Sequence, residues 1–519
     1  MKFDFYRDVL SLMMGKLGLP GADNFGRESN QRRSLLLDTV MQGRPRVSSC
    51  KLLQLPAEIL ANIVDLLSND RTSLESLALV NSDCQQLARC CQFAEVNFDY
   101  SLEAKQLASQ LVEDKSSQLS KPGVGACIRR VTFVSHPHHV AHTHRELYES
   151  FYGDDAQSVA VEQRQVLSDE AREDRGHLCS PTLESLTWTY IDLARDGGVP
   201  VSIGESVVSF PRLRYLRLQF VKLDSVAISS FLAAPLKSLD LDDRVLNDPS
   251  TFDCKPLRDL EDFAVSHPPQ KASACKHIAK FISQHTGLRR LYLHESSSAQ
   301  GGTAYLDDVI LPTLSSLDYG NLRSLYLAWG EAQIPEKSLR RIGRLVSLEQ
   351  LSLSAGKPSG WQHQWLVDHD ELRQHLRQLQ GLTKLALVRD TCPVPVPYPG
   401  LPSETYYKMR FAGSEEREDA EARPDLDMDQ DTESDAQEGE GLLGDMEEIW
   451  ERAHRNRMLD QAEKYAAVFP KLEWMFCGQR PMGFMKTPEG QCEFRRAVPL
   501  TQGKDECRTY RQAIFRGSN

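Results

Sequence analysis

The sequence lacks the short motifs by which many enzymes are recognised. It contains no Gly-x-x-x-x-Gly-Lys-Ser/Thr phosphate loop, no Gly-x-Gly-x-x-Gly turn after a predicted strand and no Gly-x-Ser-x-Gly nucleophile elbow. Its apolar runs are also short. The run Val9–Met14 is closely flanked by charged residues, which excludes a signal peptide or a membrane span there. We therefore expect a chain that is not an enzyme, holds no cofactor and does not bind membranes.

Organised cysteine pairs and basic patches are missing as well. The twelve cysteines include no Cys-x-x-Cys spacing, and thiols scattered through a long chain are typical of a reducing compartment, so we expect cytoplasmic and/or nuclear localisation. The net charge is −12, but sixteen acidic residues lie between Ser414 and Glu448, so the rest of the chain is nearly neutral. Such a body offers no sustained Lys/Arg face, and nucleic acid is not an expected partner.

The acidic residues belong to a segment, 391–449, that is predicted to be disordered. It begins with the Pro-rich stretch Val394–Gly400 and continues with few aromatic residues, a composition that cannot offset chain entropy by burial. Helical character returns at Trp450, so residues 450–519 are predicted to hold a helix, a last repeat strand and a tail. Residues 1–50 are expected to be partly helical or disordered.

Residues 51–100 carry the apolar spacing of three short helices. Apolar residues recur at intervals of three and four over Ile59–Leu67, and Pro56 precedes them at a position where a missing N–H costs little. Thr72 and Ser82 are predicted to open two further helices as the first residues of capping boxes. Three short helices bury too little apolar surface to be stable alone, so their faces need further packing. An external partner is one way to supply it.

The motif Leu55-Pro56-x-Glu58-Ile59-Leu60, followed by Leu77-Ala78-Leu79-Val80-Asn81, resembles the F-box, a three-helix motif. Cys84 stands where many members carry Trp or another large residue. The resemblance implies docking onto the SKP-type adaptor of cullin ubiquitin ligases. The alternative is an ordinary helical cap on the repeats that follow. The adaptor-binding residues that the resemblance implies are Leu55, Pro56, Ile59, Leu60, Ile63, Leu66, Leu77, Val80, Cys84 and Leu87.

A second pattern, apolar-x-x-apolar-x-apolar, recurs between about residues 125 and 390, with eight copies that start 23 to 34 residues apart. An earlier copy begins at Ile128 and a last one at Leu472. Such units resemble leucine-rich repeats in an irregular, stretched form. The eight copies begin at Leu183, Leu213, Leu236, Leu260, Leu288, Leu322, Leu348 and Leu382. Helix-like segments lie between them at Ser225–Ala234, Lys276–His285, Ser338–Leu345 and Glu371–Leu379.

Each unit is thus predicted as a strand followed by a helix. A unit of this size cannot bury its own apolar face, so successive copies are expected to stack over residues 101–390 into a solenoid with a parallel sheet inside and helices outside. The predicted fold is α/β, a three-helix F-box-like module followed by an irregular leucine-rich-repeat solenoid. Residues between the leucines are expected to face the concave side and to bind a protein target. These are Tyr215, Arg217, Gln219, Asp240, Arg290, Tyr292, His294 and Tyr326.

Two other clusters contain residue types that could form chemical sites. The histidines between His136 and His144 fit no zinc-binding spacing, so no metal is expected there. Cys90 and Cys91 fall in the third predicted helix. Arg89 is the only neighbouring cation in sequence, so no catalytic thiol is expected.

The sequence as a whole therefore predicts a non-catalytic substrate-recognition subunit of a cullin-type ubiquitin ligase. The helical module would bind the SKP-family adaptor and, through it, a cullin, while the repeats would hold an unknown protein target. The alternative is a repeat-based interaction scaffold that acts without ubiquitination.

Overall fold

The computed structural model describes two compact units, one within Gly26–His285 and one from Thr286 onwards. The boundary falls inside the range 101–390 that the repeats predict as one array. Residues 1–50 and the histidine cluster lie outside the described residues. The description covers most positions of 51–98, 124–135, 181–190, 208–242, 256–265, 272–295, 304–356, 365–391, 413–423, 441–486 and 495–500, with three positions between 104 and 111.

In the first unit, six strands pair in the order of the sequence, and every pairing is parallel. Five of them coincide with the apolar repeats, so those strand predictions are confirmed. The first strand was not predicted. The strands are β1 (Glu95–Phe98), β2 (Arg130–Ser135), β3 (Ser185–Tyr190), β4 (Tyr215–Gln219), β5 (Ser238–Leu241) and β6 (Asp262–Val265).

In the second unit, five parallel strands again follow the repeats and are confirmed. They are β7 (Arg290–His294), β8 (Ser324–Ala328), β9 (Gln350–Ser354), β11 (Lys384–Val388) and β13 (Trp474–Cys477). Two unpredicted strands extend this sheet in antiparallel fashion. They are β14 (Arg480–Lys486) and β15 (Arg495–Pro499). A separate pair of two-residue strands consists of β10 (Trp365–Leu366) and β12 (Asp390–Thr391).

The helices of the described segments complete an α/β fold, as predicted. Four of them follow strands β4, β6, β8 and β9 at the places where the sequence predicts helices. None of the helices in these segments combines the length and apolarity needed to cross a bilayer. The α-helices whose two ends are both described are α1 (Arg71–Ala78), α2 (Ser82–Gln92), α3 (Ser225–Leu232), α4 (Ala272–Gln284), α5 (Leu311–Ser316), α6 (Glu336–Ile342), α7 (His369–Leu376), α8 (Ser414–Glu421) and α9 (Gly441–Val468).

The core of each unit contains apolar rows in register across neighbouring strands. In the second unit Leu291, Leu325, Leu351, Leu385 and Met475 occupy equivalent positions on five strands, and each is at most 2% exposed. Burial of such a side chain contributes roughly 1.5–3 kcal/mol. No single strand can provide that burial for itself, so the rows form only when successive strands pair.

The acidic segment departs from the prediction. Residues 414–421 form helix α8, and the segment's last residues, from Gly441, already belong to helix α9. The disorder predicted for 391–449 is therefore wrong over these two stretches.

Helix α8 forms because it pairs with α9, and not because of the composition of its own segment. Arg457 bonds to Asp419 and Glu416, with its Nη2 3.3 Å from the Glu416 carboxylate. The Asn456 amide donates to the Asp419 carbonyl at 2.8 Å. Two of the five acidic residues of α8 are thus paired with a cation on α9, and one of them, Glu416, is buried.

Glu295, directly after β7, is a buried carboxyl that titrates far from its ordinary range. Glu295 is only 3% exposed, and its Oε1 accepts a hydrogen bond from the Leu306 N–H at 3.3 Å. Burial raises the pKa of Glu295 from 4.5 to about 8, and the charges of Asp307 and Glu331 also raise it. Between these two pH values, the folded protein keeps a proton that the unfolded chain has lost.

The free energy of unfolding should therefore decrease as the pH rises from 4.5 to 8, by up to about 1.4 kcal/mol per pH unit from this group. We predict that Glu295→Gln removes this decrease, because the neutral amide has no proton to lose. Thermal melting at pH 5, 6.5 and 8 measures the effect. Glu349→Gln is the matched control, since that side chain is 49% exposed. Identical pH profiles for wild type and Glu295→Gln would contradict the assignment.

Candidate functional site

The helical module of residues 51–98 is built from local capping interactions. The Asp70 side chain accepts from the Ser73 N–H at the start of α1. The Asn81 side chain accepts from the Asp83 and Cys84 N–H groups at the start of α2. The predicted cap Thr72 is therefore wrong by two residues and Ser82 by one. Asp70 and Asn81 stand earlier in the chain, and their side chains accept hydrogen bonds from the free N–H groups of the first helical turn.

A small core holds this module together. Leu60, Cys84 and Leu87 are 5%, 0% and 3% exposed and pack on one another, surrounded by half-buried apolar residues. In this conformation these three side chains support the module's own core, and their role in adaptor binding stays a prediction. The half-buried residues include two further predicted ones, Leu55 and Leu77, and Ile63 is also half-buried.

A second set of apolar side chains in the same module is exposed to solvent. Leu66 and Leu79 are 85% and 87% exposed, Val80 is 63% exposed and Ile59 is 45% exposed. Among the residues that the structure describes, these four make up most of the large apolar side chains left in solvent. Pro56 is exposed too. We call Ile59, Leu66, Leu79 and Val80 the apolar face. Leu79 was missed as a site residue, although its apolar type beside Val80 was visible in the sequence.

In the first unit, the predicted target-binding residues lie on the neighbouring strands β4 and β5. All are half-buried except Asp240, which is buried. Arg217 on β4 and Asp240 on β5 form an ion pair with a 2.7 Å separation between Nε and Oδ2. Asp240 is only 8% exposed because of this contact, so its charge is already satisfied within the sheet. Tyr215 and Gln219 flank Arg217 on β4 and are half-buried.

In the second unit, three of the predicted residues form an aromatic cluster. The rings of Tyr292 and Tyr326 stack with centroids 4.0 Å apart, and the Tyr292 hydroxyl lies 2.6 Å from His294 Nε2. Arg290 lies on the same strand and is half-buried. Stacked, partly exposed tyrosines present large rigid contact areas, a property of interface hot spots.

A cavity of about 390 Å³ lies beside α6 and α7. His375 Nε2 is 3.5 Å from Glu336 Oε1 and 3.4 Å from Glu371 Oε1, a trio with the atoms to ligate a cation. Arg340 already pairs with Glu336. Arg344 and Arg377 line the same cavity, and these positive charges oppose a metal ion there.

Comparison with known proteins adds no family to this description. The chain matches no protein-family model, and no curated protein is detectably similar to it.

The contrast between buried and exposed leucines gives a direct stability test. We predict that Leu60→Ala destabilises the module by about 2–5 kcal/mol through a core cavity, whereas Leu66→Ala changes its stability by less than about 0.5 kcal/mol. The rate at which a thiol reagent labels Cys84, which is 0% exposed, reports opening of the core. Leu60→Ala should accelerate that labelling at least roughly 30-fold. Equal acceleration by both substitutions would contradict the division into core and apolar face.

Proposed function

We propose that this chain is an F-box-type substrate-recognition subunit of a cullin ubiquitin ligase. The module of residues 51–98 docks on an SKP-type adaptor, and the repeats form a leucine-rich-repeat-like solenoid that holds a protein target. The observation that carries the proposal is the apolar face, with Leu66 and Leu79 more than four-fifths exposed on a small module that has its own core.

Water-exposed leucines grouped on one short segment favour a partner that covers them. Full burial of each such side chain contributes roughly 1.5–3 kcal/mol, part of which offsets the freedom lost on association. The small core beneath them matters for affinity as well. It fixes the helices before the partner arrives, so less ordering cost is left for the binding step.

The aromatic cluster supports the target-binding half of the proposal. Tyr292, His294 and Tyr326 share one sheet face and are partly exposed. The Arg217–Asp240 pair is a weaker candidate for target contact, because a partner would have to compete with an existing ion pair.

The chain itself performs no bond chemistry in this proposal. Its contribution is to hold a target beside the ubiquitin carrier that the cullin recruits, which raises the target's effective concentration. A lysine of the target then meets the charged carrier more often than it would by free diffusion.

The adaptor-binding half is tested on the apolar face. We predict that Leu66→Ala combined with Val80→Ala lowers co-purification with an SKP-type adaptor at least tenfold, while the melting temperature stays unchanged. The change follows from the lost apolar contact, since neither side chain supports the core. Val346→Ala is the matched control, because Val346 is 62% exposed but lies in the other unit.

Retention of the adaptor by the double variant would contradict this docking mode. A wild-type complex that contains the adaptor but no cullin would instead favour the scaffold alternative.

The target-binding half is tested on the aromatic cluster. We predict that Tyr326→Ala reduces captured cargo severalfold in affinity purification followed by mass spectrometry, and that adaptor recovery is unaffected. Tyr326→Phe is the control, because it keeps the ring that stacks on Tyr292. Cargo that is equally abundant with the Ala variant would place the target elsewhere.

A further inference from the structure

Two thiols from separate parts of the first unit lie against each other. Cys90 belongs to α2, the last helix of the module, and Cys127 ends a short helical turn, Val124–Cys127, just before β2. Their sulfur atoms are 3.3 Å apart although 37 residues separate them in sequence. That distance exceeds a disulfide bond by about 1.3 Å. The two sulfurs are therefore already in contact in the reduced protein.

The surroundings favour a reactive sulfur at this place. The Gln86 amide nitrogen lies 3.7 Å from each sulfur and donates to both. The hydrogen bond from Cys90 lowers the pKa of Cys127, against the effect of burial, and the charges of Arg89 and Arg129 lower it further. Arg129 is distant from Cys90 in sequence, so the fold supplies the second cation that the local sequence lacks.

Access to the pair comes through Cys90. Cys127 is 1% exposed, whereas Cys90 is half-buried. Either sulfur can act as the donor in the hydrogen bond between them. The hydrogen bond with Cys127 and burial raise the pKa of Cys90, so the first thiolate of the pair forms on Cys127, directly beside the sulfur that a small oxidant meets first.

We propose that Cys90 and Cys127 are a modification site, a thiol pair that hydrogen peroxide oxidises to an intramolecular disulfide. The thiolate attacks the peroxide, an S–O bond forms, the O–O bond breaks, and hydroxide leaves as water after taking a proton. The second sulfur then attacks the sulfenic acid, the S–S bond forms, the S–O bond breaks, and a second water leaves. Two thiols lose two electrons and two protons, and the peroxide oxygens are reduced.

The product ties the last helix of the module to the turn that enters β2. Both elements belong to the same unit and already pack together, since α2 lies against the Val124–Cys127 turn. The bond would hold α2 against the Val124–Cys127 turn. It would also reduce the conformational freedom of the unfolded chain, which is the main way in which a disulfide stabilises a fold. Oxidation should therefore raise the melting temperature of this unit, and dithiothreitol should reverse the increase.

The site is tested on the full chain, reduced, freed of reductant and treated with hydrogen peroxide. Remaining thiols are alkylated with N-ethylmaleimide, and the protein is digested with trypsin without reduction. We expect peptides 90–105 and 116–129 to appear joined, with the mass of their sum less two hydrogens plus one N-ethylmaleimide on Cys91. The link should persist in Cys91→Ser, which removes the other thiol of peptide 90–105, and should vanish in Cys90→Ser.

Several outcomes would overturn the proposal. They are sulfinic or sulfonic acid at Cys90 without the link, a link to another cysteine, a link between two molecules, and two thiols that stay fully alkylated. If Cys90→Ser failed to fold, the mapped link in the wild-type chain and in Cys91→Ser would still decide the question.

Discussion

Short apolar elements cannot bury their own apolar faces, and both units of this protein are built around that constraint. A strand such as β8 has Leu325 and Leu327 on one side and nothing in its own sequence to cover them. Parallel pairing with β7 and β9 places leucines beside leucines in register, and all of these leucines are buried from solvent. The recurrence of the pattern is therefore the physical requirement for stability, because each strand depends on its neighbours.

The helical module meets the same constraint only in part. Its inner residues, Leu60, Cys84 and Leu87, find one another, but Leu66 and Leu79 remain in water. A large side chain at position 84 would not fit the space that a thiol fills there without moving Leu60 or Leu87. The incomplete burial is what connects the fold to the proposed function, in which a second polypeptide covers the remaining surface.

Much of the architecture could be predicted from the sequence, because leucine spacing encodes the strands directly. Ten repeat signatures correspond to ten parallel strands, from β2 to β13. The antiparallel strands β14 and β15 carry no such spacing. Helix α8 could not be predicted because two of its acidic residues pair with Arg457, which is distant in sequence.

The site was less predictable than the fold. Periodicity places Leu60 and Leu66 in one helix, but it cannot show which of them faces the core. The contacts between Cys90 and Cys127, and between Tyr292 and Tyr326, likewise depend on how distant segments meet. Such contacts arise from the packing of the whole unit rather than from any local pattern.

The proposed function requires that a foreign chain covers the apolar face of the module. Hydrogen–deuterium exchange of the full chain, with and without a purified SKP-type adaptor, tests it most directly. Binding of the adaptor to the apolar face should slow exchange in peptides that span residues 59–80 and leave strands β7 to β9 unchanged. Exchange that is unaltered over residues 59–80 at saturating adaptor would contradict it.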